Sequence, residues 1–509
     1  MKKKLVRLLK TFLFCALLFG ILASISKVVE RKASTIRFKP FLDHAEDFDV
    51  LFIGDSHSVN GIFPMDLWQD YGIAAYNIAS YGNTLPVSYW AMMNALDYAS
   101  PKLMVIGIKD VHRYNKVSGS SGDVHTALDC YPLSLTKIRT IEDLMNTPYA
   151  IDDEGNYYVD MKWEYYFTLG KYHSRWSEIN DSDFHYRLNS QKGGEMAIGV
   201  ADPNDYDIID ENWALEEGGA GFQYLRMMIE ECQSRGIDVL LIHLPYPSTE
   251  EDQMAANAVQ YIAEEYGVNY VDFVSLDQVV DYEVDCYDSF SHLNPSGARK
   301  VTDFLGRYIA DHYDIPDRRG DERYRHWASD VDVYTELKLA YLRSQDDLRN
   351  LLMLLHDSRF SACIAIRKNS PVYNDSKVMR LLQNIAREHI YEEDAFAKWS
   401  NTLFPLSKLE DAAARRDAYF LLIDRKNGAV EECAGNDISA EFDSSFGHLA
   451  YSAEGGDAAL SIERDGAPVP YGDMDAAEIQ PDIRVLVIDD RTSEVAAVKQ
   501  FPLISAVSP

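Results

Sequence analysis

Asp49-Val50-Leu51-Phe52-Ile53-Gly54-Asp55-Ser56-His57-Ser58 is the stretch whose reading decides the fold. Val50 to Ile53 are large or β-branched apolar residues without alternation, the pattern of a parallel strand buried on both faces. Gly54 ends that strand. Ligands of an open α/β sheet bind beyond the carboxyl ends of its strands, so Ser56 stands where chemistry is done. A serine hydroxyl becomes a nucleophile only with a base in hydrogen-bond reach and a third group that orients the base.

An acid and a histidine occur together far downstream, in Asp285-Cys286-Tyr287-Asp288-Ser289-Phe290-Ser291-His292-Leu293-Asn294-Pro295. Asn294 and Pro295 form an N-cap and N1 pair for a helix whose apolar positions are Val301, Phe304, Leu305, Tyr308 and Ile309. His292 therefore lies on the loop entering a helix that packs on the sheet. Ser58 stands where a G-x-S-x-G elbow needs its last glycine, which excludes the α/β-hydrolase arrangement.

Working outward, strands are expected within Tyr71 to Ala79, at Leu103 to Ile108, Val239 to Ile242 and Val268 to Phe273, and helices at Leu85 to Tyr98, Phe222 to Ser234 and Gln253 to Tyr266. Strands and helices that alternate through short turns mean a parallel, doubly wound sheet. The interval from about 111 to 221 breaks the alternation and reads as an insertion that shapes the substrate site. Its aromatics, among them Trp163, Tyr165, Tyr172 and Trp176, suit either stacking on sugars or, as the favoured reading, a local core.

The order of Ser56, then Asp and His together near the domain's end, resembles the SGNH or GDSL hydrolase superfamily, and most closely its membrane-attached bacterial branch of DltD-like and alginate-acetylation-type proteins. The likeness covers about residues 48 to 316 and rests on Gly54-Asp55-Ser56-His57-Ser58, Tyr76-Asn77-Ile78-Ala79-Ser80-Tyr81-Gly82-Asn83 and Ser291-His292-Leu293-Asn294. It implies a three-layer α/β/α fold, with Ser56 as nucleophile, His292 as general base, and the Ser56 and Gly82 amides as oxyanion donors beside Asn83. Lys171-Tyr172-His173-Ser174-Arg175-Trp176 is similar to an element of the same branch, which implies that His173 and Arg175 line the cleft. His57 reads either as a further polar contact at the site or as a surface or capping side chain. The sequence departs from the family at two places. The usual acid position, three before the histidine, is Ser289, which leaves Asp288 and Asp285 as candidates, with Asp288 preferred. Gly107-Ile108-Lys109-Asp110 carries Lys109 where the family has an oxyanion-stabilising asparagine.

Lys2, Lys3, Lys4, Arg7 and Lys10 form a basic tail (1–10) ahead of an apolar run at 11–29, interrupted only by Lys27. This reads as a single-pass anchor with a cytoplasmic amino end and an exported remainder. A cleaved signal peptide is the alternative, disfavoured because no A-x-A site follows. Residues 30–47 read as a stalk. The formal charge of −32 argues against nucleic acid or an anionic lipid surface as partner. The six cysteines are scattered, without C-x-x-C pairs, and no cofactor or metal motif is present: the acidic run Asp202 to Glu211 lacks calcium-loop spacing.

Pro316 and Gly320 mark a domain boundary, with residues 317–509 expected to form a smaller α/β domain. It contains a helix at Tyr334 to Leu355, strands at Cys363 to Ile366, Tyr419 to Ile423 and Ile483 to Ile488, and a hairpin turn at Asn427-Gly428. Its strand-rich end faintly resembles ILEI and stem-type domains, some of which bind glycans. The reading as a whole is a membrane-anchored serine esterase or O-acyltransferase that acts on acyl, most simply acetyl, groups of a cell-surface polysaccharide or teichoic-acid-like polymer. The resemblance further implies a multipass membrane acyl donor as partner. A non-catalytic envelope scaffold that binds glycan is the alternative from another class.

Overall fold

The computed structural model describes residues 2–117, 121–146, 162–204, 207–210, 213–276, 279–289, 292–386, 388–390, 400–402, 406–454, 457–470 and 481–502. They divide into two compact units, 1–195 with 206–274 and 302–328, and 196–205 with 275–301 and 329–509. The separation is thus interleaved along the chain, where the sequence suggested one cut near residue 316. Ser56 belongs to the first unit, and Asp288 and His292 to the second.

The first unit is built on a five-stranded parallel sheet, β1 (Val50–Ile53), β2 (Ala75–Asn77), β3 (Leu103–Gly107), β4 (Asp238–His243) and β5 (Asn269–Asp272). The strand order is β2-β1-β3-β4-β5. Leu51 faces Tyr76 on one side and Met104 on the other, and Val105 faces Leu240. Every residue of β1 and β3 is buried, as the uninterrupted apolar runs require. The strand order reverses between β1 and β3, so the loops after these two strands flank the topological switch point, where open α/β sheets bind ligands.

Helix α1 (Lys2–Val29) is 28 residues long, about 42 Å at 1.5 Å per residue, and is long and apolar enough to cross a membrane. Its side chains from Leu5 to Ile25 are largely exposed. The expected stalk is folded instead: helix α2 (Ala33–Asp43) buries Arg37, Phe38 and Phe41. Pro40 inside α2 has no N–H to give the Ile36 carbonyl, and Asn189 supplies one at 2.9 Å. In the insertion, Tyr165 joins Val87, Val124, Leu128, Ile141 and Leu144 in a local core, while Trp163 and Trp176 remain exposed.

The second unit combines helices and strands, as expected of a second α/β domain, and its main sheet is antiparallel. The order is 429–435, 418–424, 360–366, 483–489, 494–501. Alternate residues of the central strands enter two cores. Ile364, Leu421 and Val485 pack with the helical residues Leu351 and Leu381, whereas Cys363, Phe420 and Leu486 pack with Phe442, Leu449 and Ile462 of a second, four-stranded sheet. Two covered faces explain why these strands read as continuous apolar runs. The Asn427-Gly428 turn joins paired strands, with Gly428 at φ 62°. The helix expected over Tyr334 to Leu355 is two, His326–Ser344 and Leu348–Leu354, the second capped by the Asp347 carboxylate.

Candidate active site

In the first unit, Gly54 carries the chain from β1 into a short helix, α3 (Ser56–Gly61), headed by Ser56. The Asp55 carboxylate accepts the His57 amide at 3.2 Å and lies 3.2 Å from His57 Nδ1, so a single side chain caps α3 and holds the imidazole. His57 is buried, its ring centroid 4.9 Å from that of Tyr246. Ser58 also points inward: a Cβ at Gly54 or Gly107 would come within 2.4 or 2.7 Å of its Oγ. Only glycine at both strand ends lets α3 sit this close to the sheet. Asn77, at the end of β2, donates to the Ser58 carbonyl at 2.7 Å and accepts from the Ala79 amide at 3.1 Å, locking α3 to the segment that leads to Gly82.

Gly82 has φ 64°, and a Cβ there would meet Asp123 Oδ2 at 2.5 Å, so two independent constraints demand glycine. Asn83 is buried, its amide nitrogen 3.5 Å from the Gly54 carbonyl. Lys109 follows β3 at the switch point. Its ammonium lies 3.6 Å from Asp110 Oδ2 and 5.1 Å from the centre of the Tyr246 ring. Burial pushes the Tyr246 phenol well above its ordinary range, and the Asp252 carboxylate adds to the shift, so the ring stays neutral. At the ends of β4 and β5, His243 Nδ1 is 2.8 Å from Asp272 Oδ1.

His173 and Arg175 are placed elsewhere. Arg175 donates to the Val29 carbonyl at the end of α1 and to Asp183 at 2.8 Å, and His173 Nδ1 donates to the Gly170 carbonyl at 2.7 Å. The hydrogen bond from Arg175 holds the Asp183 carboxyl below its ordinary range. Arg175 thus supports the foot of α1, whereas His173 bonds within its own segment.

In the second unit, an isolated bridge between Cys286 and Leu293 and a Tyr287 amide donating to the His292 carbonyl at 2.7 Å close the loop between them. That closure brings Asp288 to His292. Nδ1 of His292 lies 2.9 Å from Asp288 Oδ2, and the His292 amide donates to Oδ1 at 3.1 Å. With Nδ1–H given to the carboxylate, this contact sets the tautomer of the neutral imidazole. Asp285 is committed elsewhere: it pairs with Lys300 at 2.6 Å, accepts the Ser296 hydroxyl at 2.7 Å and accepts the Asp281 amide at 2.7 Å. Asn294 caps the following helix (Pro295–His312) by accepting from the Ser296 and Gly297 amides. Phe290 and Ser291 lie outside the described residues.

Asn77 stands in a motif the sequence singled out without assigning it a role, while Arg37 and the His243–Asp272 pair were not foreseen. Arg37 is buried and donates to the Ala79 and Gly193 carbonyls at 2.8 Å, bracing the segment before Gly82. An arginine between apolar residues in a supposed stalk was the available signal.

No family model matches the chain, and no curated protein matches it. Among solved structures it is similar to a protein from Bacteroides fragilis NCTC 9343 described as a "putative acylhydrolase". Identity is 13%, over 55% of this chain and 98% of that one, with a TM-score of 0.28. A likeness this distant carries no argument about chemistry.

Proposed function

We propose that the protein is a membrane-anchored serine acyl-esterase or O-acyltransferase of the SGNH type, with Ser56 as nucleophile, His292 as general base and Asp288 as the acid that orients it. The observation that carries this reading is the Asp288 carboxylate 2.9 Å from His292 Nδ1, the tautomer-fixing contact a triad base needs. Ser56 at the head of α3, beside the switch point of the parallel sheet, supports it from the other unit.

In this mechanism Ser56 Oγ attacks an ester carbonyl while His292 Nε2 takes its proton. The Ser56 and Gly82 amides hold the oxyanion, with Asn83 and Lys109 as neighbouring polar groups. Collapse returns the proton from His292 to the leaving alcohol and leaves an acyl-Ser56 enzyme. Water as acceptor makes an esterase, and a sugar hydroxyl a transferase. An oxyanion donor of this kind contributes about 3–4 kcal/mol to transition-state stabilisation. The anchor, with its amino end in the cytoplasm, puts the site outside the membrane, where a surface polysaccharide or teichoic-acid-like polymer is the acceptor and a multipass membrane protein supplies the acyl, most simply acetyl, group.

Lys109 at the place of the family's asparagine, already engaged with Asp110 and Tyr246, favours the second reading, a glycan-binding scaffold of the same fold. Full-length protein in detergent, given p-nitrophenyl acetate and a fluorophosphonate probe, separates the two. Turnover with label on Ser56, both lost in His292→Ala, is the expected result. Folded protein silent in both assays would replace the enzyme with the scaffold.

A further inference from the structure

Away from Ser56, the first unit holds His44, Asp47 and His326, whose ligand atoms all lie within 4.8 Å of one another. His44 precedes and Asp47 ends a 3-10 turn (Ala45–Asp47), in which residues three apart eclipse, and His44 Nδ1 comes 3.5 Å from Asp47 Oδ2. The Tyr324 hydroxyl donates to the Asp47 carbonyl at 2.7 Å, which holds the segment carrying His326 against the turn. His326 Nε2 lies 3.5 Å from the same Oδ2, and the two imidazoles stack at 4.9 Å with an interplanar angle of 19°. The sequence offered no ligand spacing because the third donor is distant in the chain.

Two features distinguish this group from ordinary histidine–aspartate pairing. His326 Nδ1 can only donate to the Arg323 carbonyl, 3.2 Å away, and this backbone contact fixes the tautomer with the Nε2 lone pair turned to Asp47. Nε2 is shut off from solvent and makes no hydrogen bond. A lone pair facing a carboxylate is repulsive unless a proton or a metal cation lies between them, and at 3.5 Å the pair makes no hydrogen bond. The 3.5 Å separations are long for hydrogen bonds, yet close to the edge of about 3.3 Å set by zinc–ligand bonds of about 2.0–2.1 Å in a tetrahedron.

We propose that His44, Asp47 and His326 bind a borderline divalent transition-metal ion, most simply zinc, with water in the fourth position. Two imidazoles select against calcium and magnesium, which take oxygen ligands. The bound ion clips the segment following α2 to the start of the helix at His326 and stabilises the first unit.

The test uses full-length protein in detergent, stripped with chelator and titrated calorimetrically with Zn2+, with Ca2+ as a control. Expected are one Zn2+ site, no Ca2+ binding there, a higher melting temperature with zinc, and affinity lowered about 100-fold or more in His326→Gln and Asp47→Asn but unchanged in His448→Gln. No zinc uptake, or uptake equal in native protein and both variants, overturns the proposal and leaves an ion-pair cluster. Should either variant fail to fold, Co2+ loading of the native chain decides. Intense tetrahedral visible bands, absent in the exposed-position variant His44→Gln, support the site, and weak octahedral bands refute it.

Discussion

Asp285 and Asp288, three residues apart, should fail in opposite ways. Asp285 and Lys300 are both 0% exposed, so Asp285→Asn strands a buried ammonium. Removing one partner of a buried pair costs about 3–5 kcal/mol because the remaining charge is left without compensation. With a urea m-value of about 2 kcal/mol/M, that lowers the unfolding midpoint by roughly 1.5–2.5 M. Asp288 is partly open to solvent, at 26% side-chain exposure, so Asp288→Asn should cost under about 1 kcal/mol. An amide there neither stabilises the His292 imidazolium nor enforces its tautomer, and turnover should fall by about 10⁴-fold. The assay pairs urea melts with p-nitrophenyl acetate turnover, normalised to Ser56 sites titrated with fluorophosphonate. Near-native turnover in Asp288→Asn, or an unmoved midpoint with lost turnover in Asp285→Asn, would refute the assignment of the acid.

Gly82→Ala forces φ 64° on an L-residue and drives a methyl into Asp123 Oδ2, which displaces the neighbouring amide. Turnover should drop by about 10²-fold, the loss typical of one oxyanion donor, with the label on Ser56 retained but slowed; rates within a factor of two of wild type would remove Gly82 from the site. In the second unit, burial raises the Asp490 carboxyl to about 6, and the Asp424 carboxylate adds to the shift. Its folded pKa lies above the unfolded value of about 3.9, so its stabilising contribution is fully present below about pH 4 and is lost as pH rises through about 6. Asp490→Asn should therefore stabilise the protein above pH 6 by about 1 kcal/mol, a value reduced for partial solvation, and leave it unchanged near pH 4. Melting temperatures across that range check the sign, and a variant less stable at pH 8 would contradict it.

What was legible in the sequence was what short-range pattern encodes. The run Val50 to Ile53 announced a strand buried on both faces because no alternate position offers a polar side chain to water. Asn294-Pro295 announced a helix start because the cap is a contact between near neighbours, and the structure has that cap. The antiparallel main sheet of the second unit was not legible, since a strand covered by helices on one face and by a second sheet on the other has the same composition as a parallel one.

By itself, then, the sequence determined an apolar amino-terminal helix, a parallel α/β sheet with Ser56 after its first strand, and a histidine with two aspartates near it. Only the tertiary structure decided which aspartate holds His292, because the choice depends on the bridge from Cys286 to Leu293 and on Lys300 reaching Asp285 from the following helix. It likewise turned the supposed stalk into a packed helix braced by Arg37, tied Arg175 to the foot of α1, and gathered His44, Asp47 and His326 into one cluster. Each of these depends on pairings between residues far apart in the chain. Propensity and spacing carry no record of them, because the free energy that fixes such a pairing comes from packing and desolvation in the folded state.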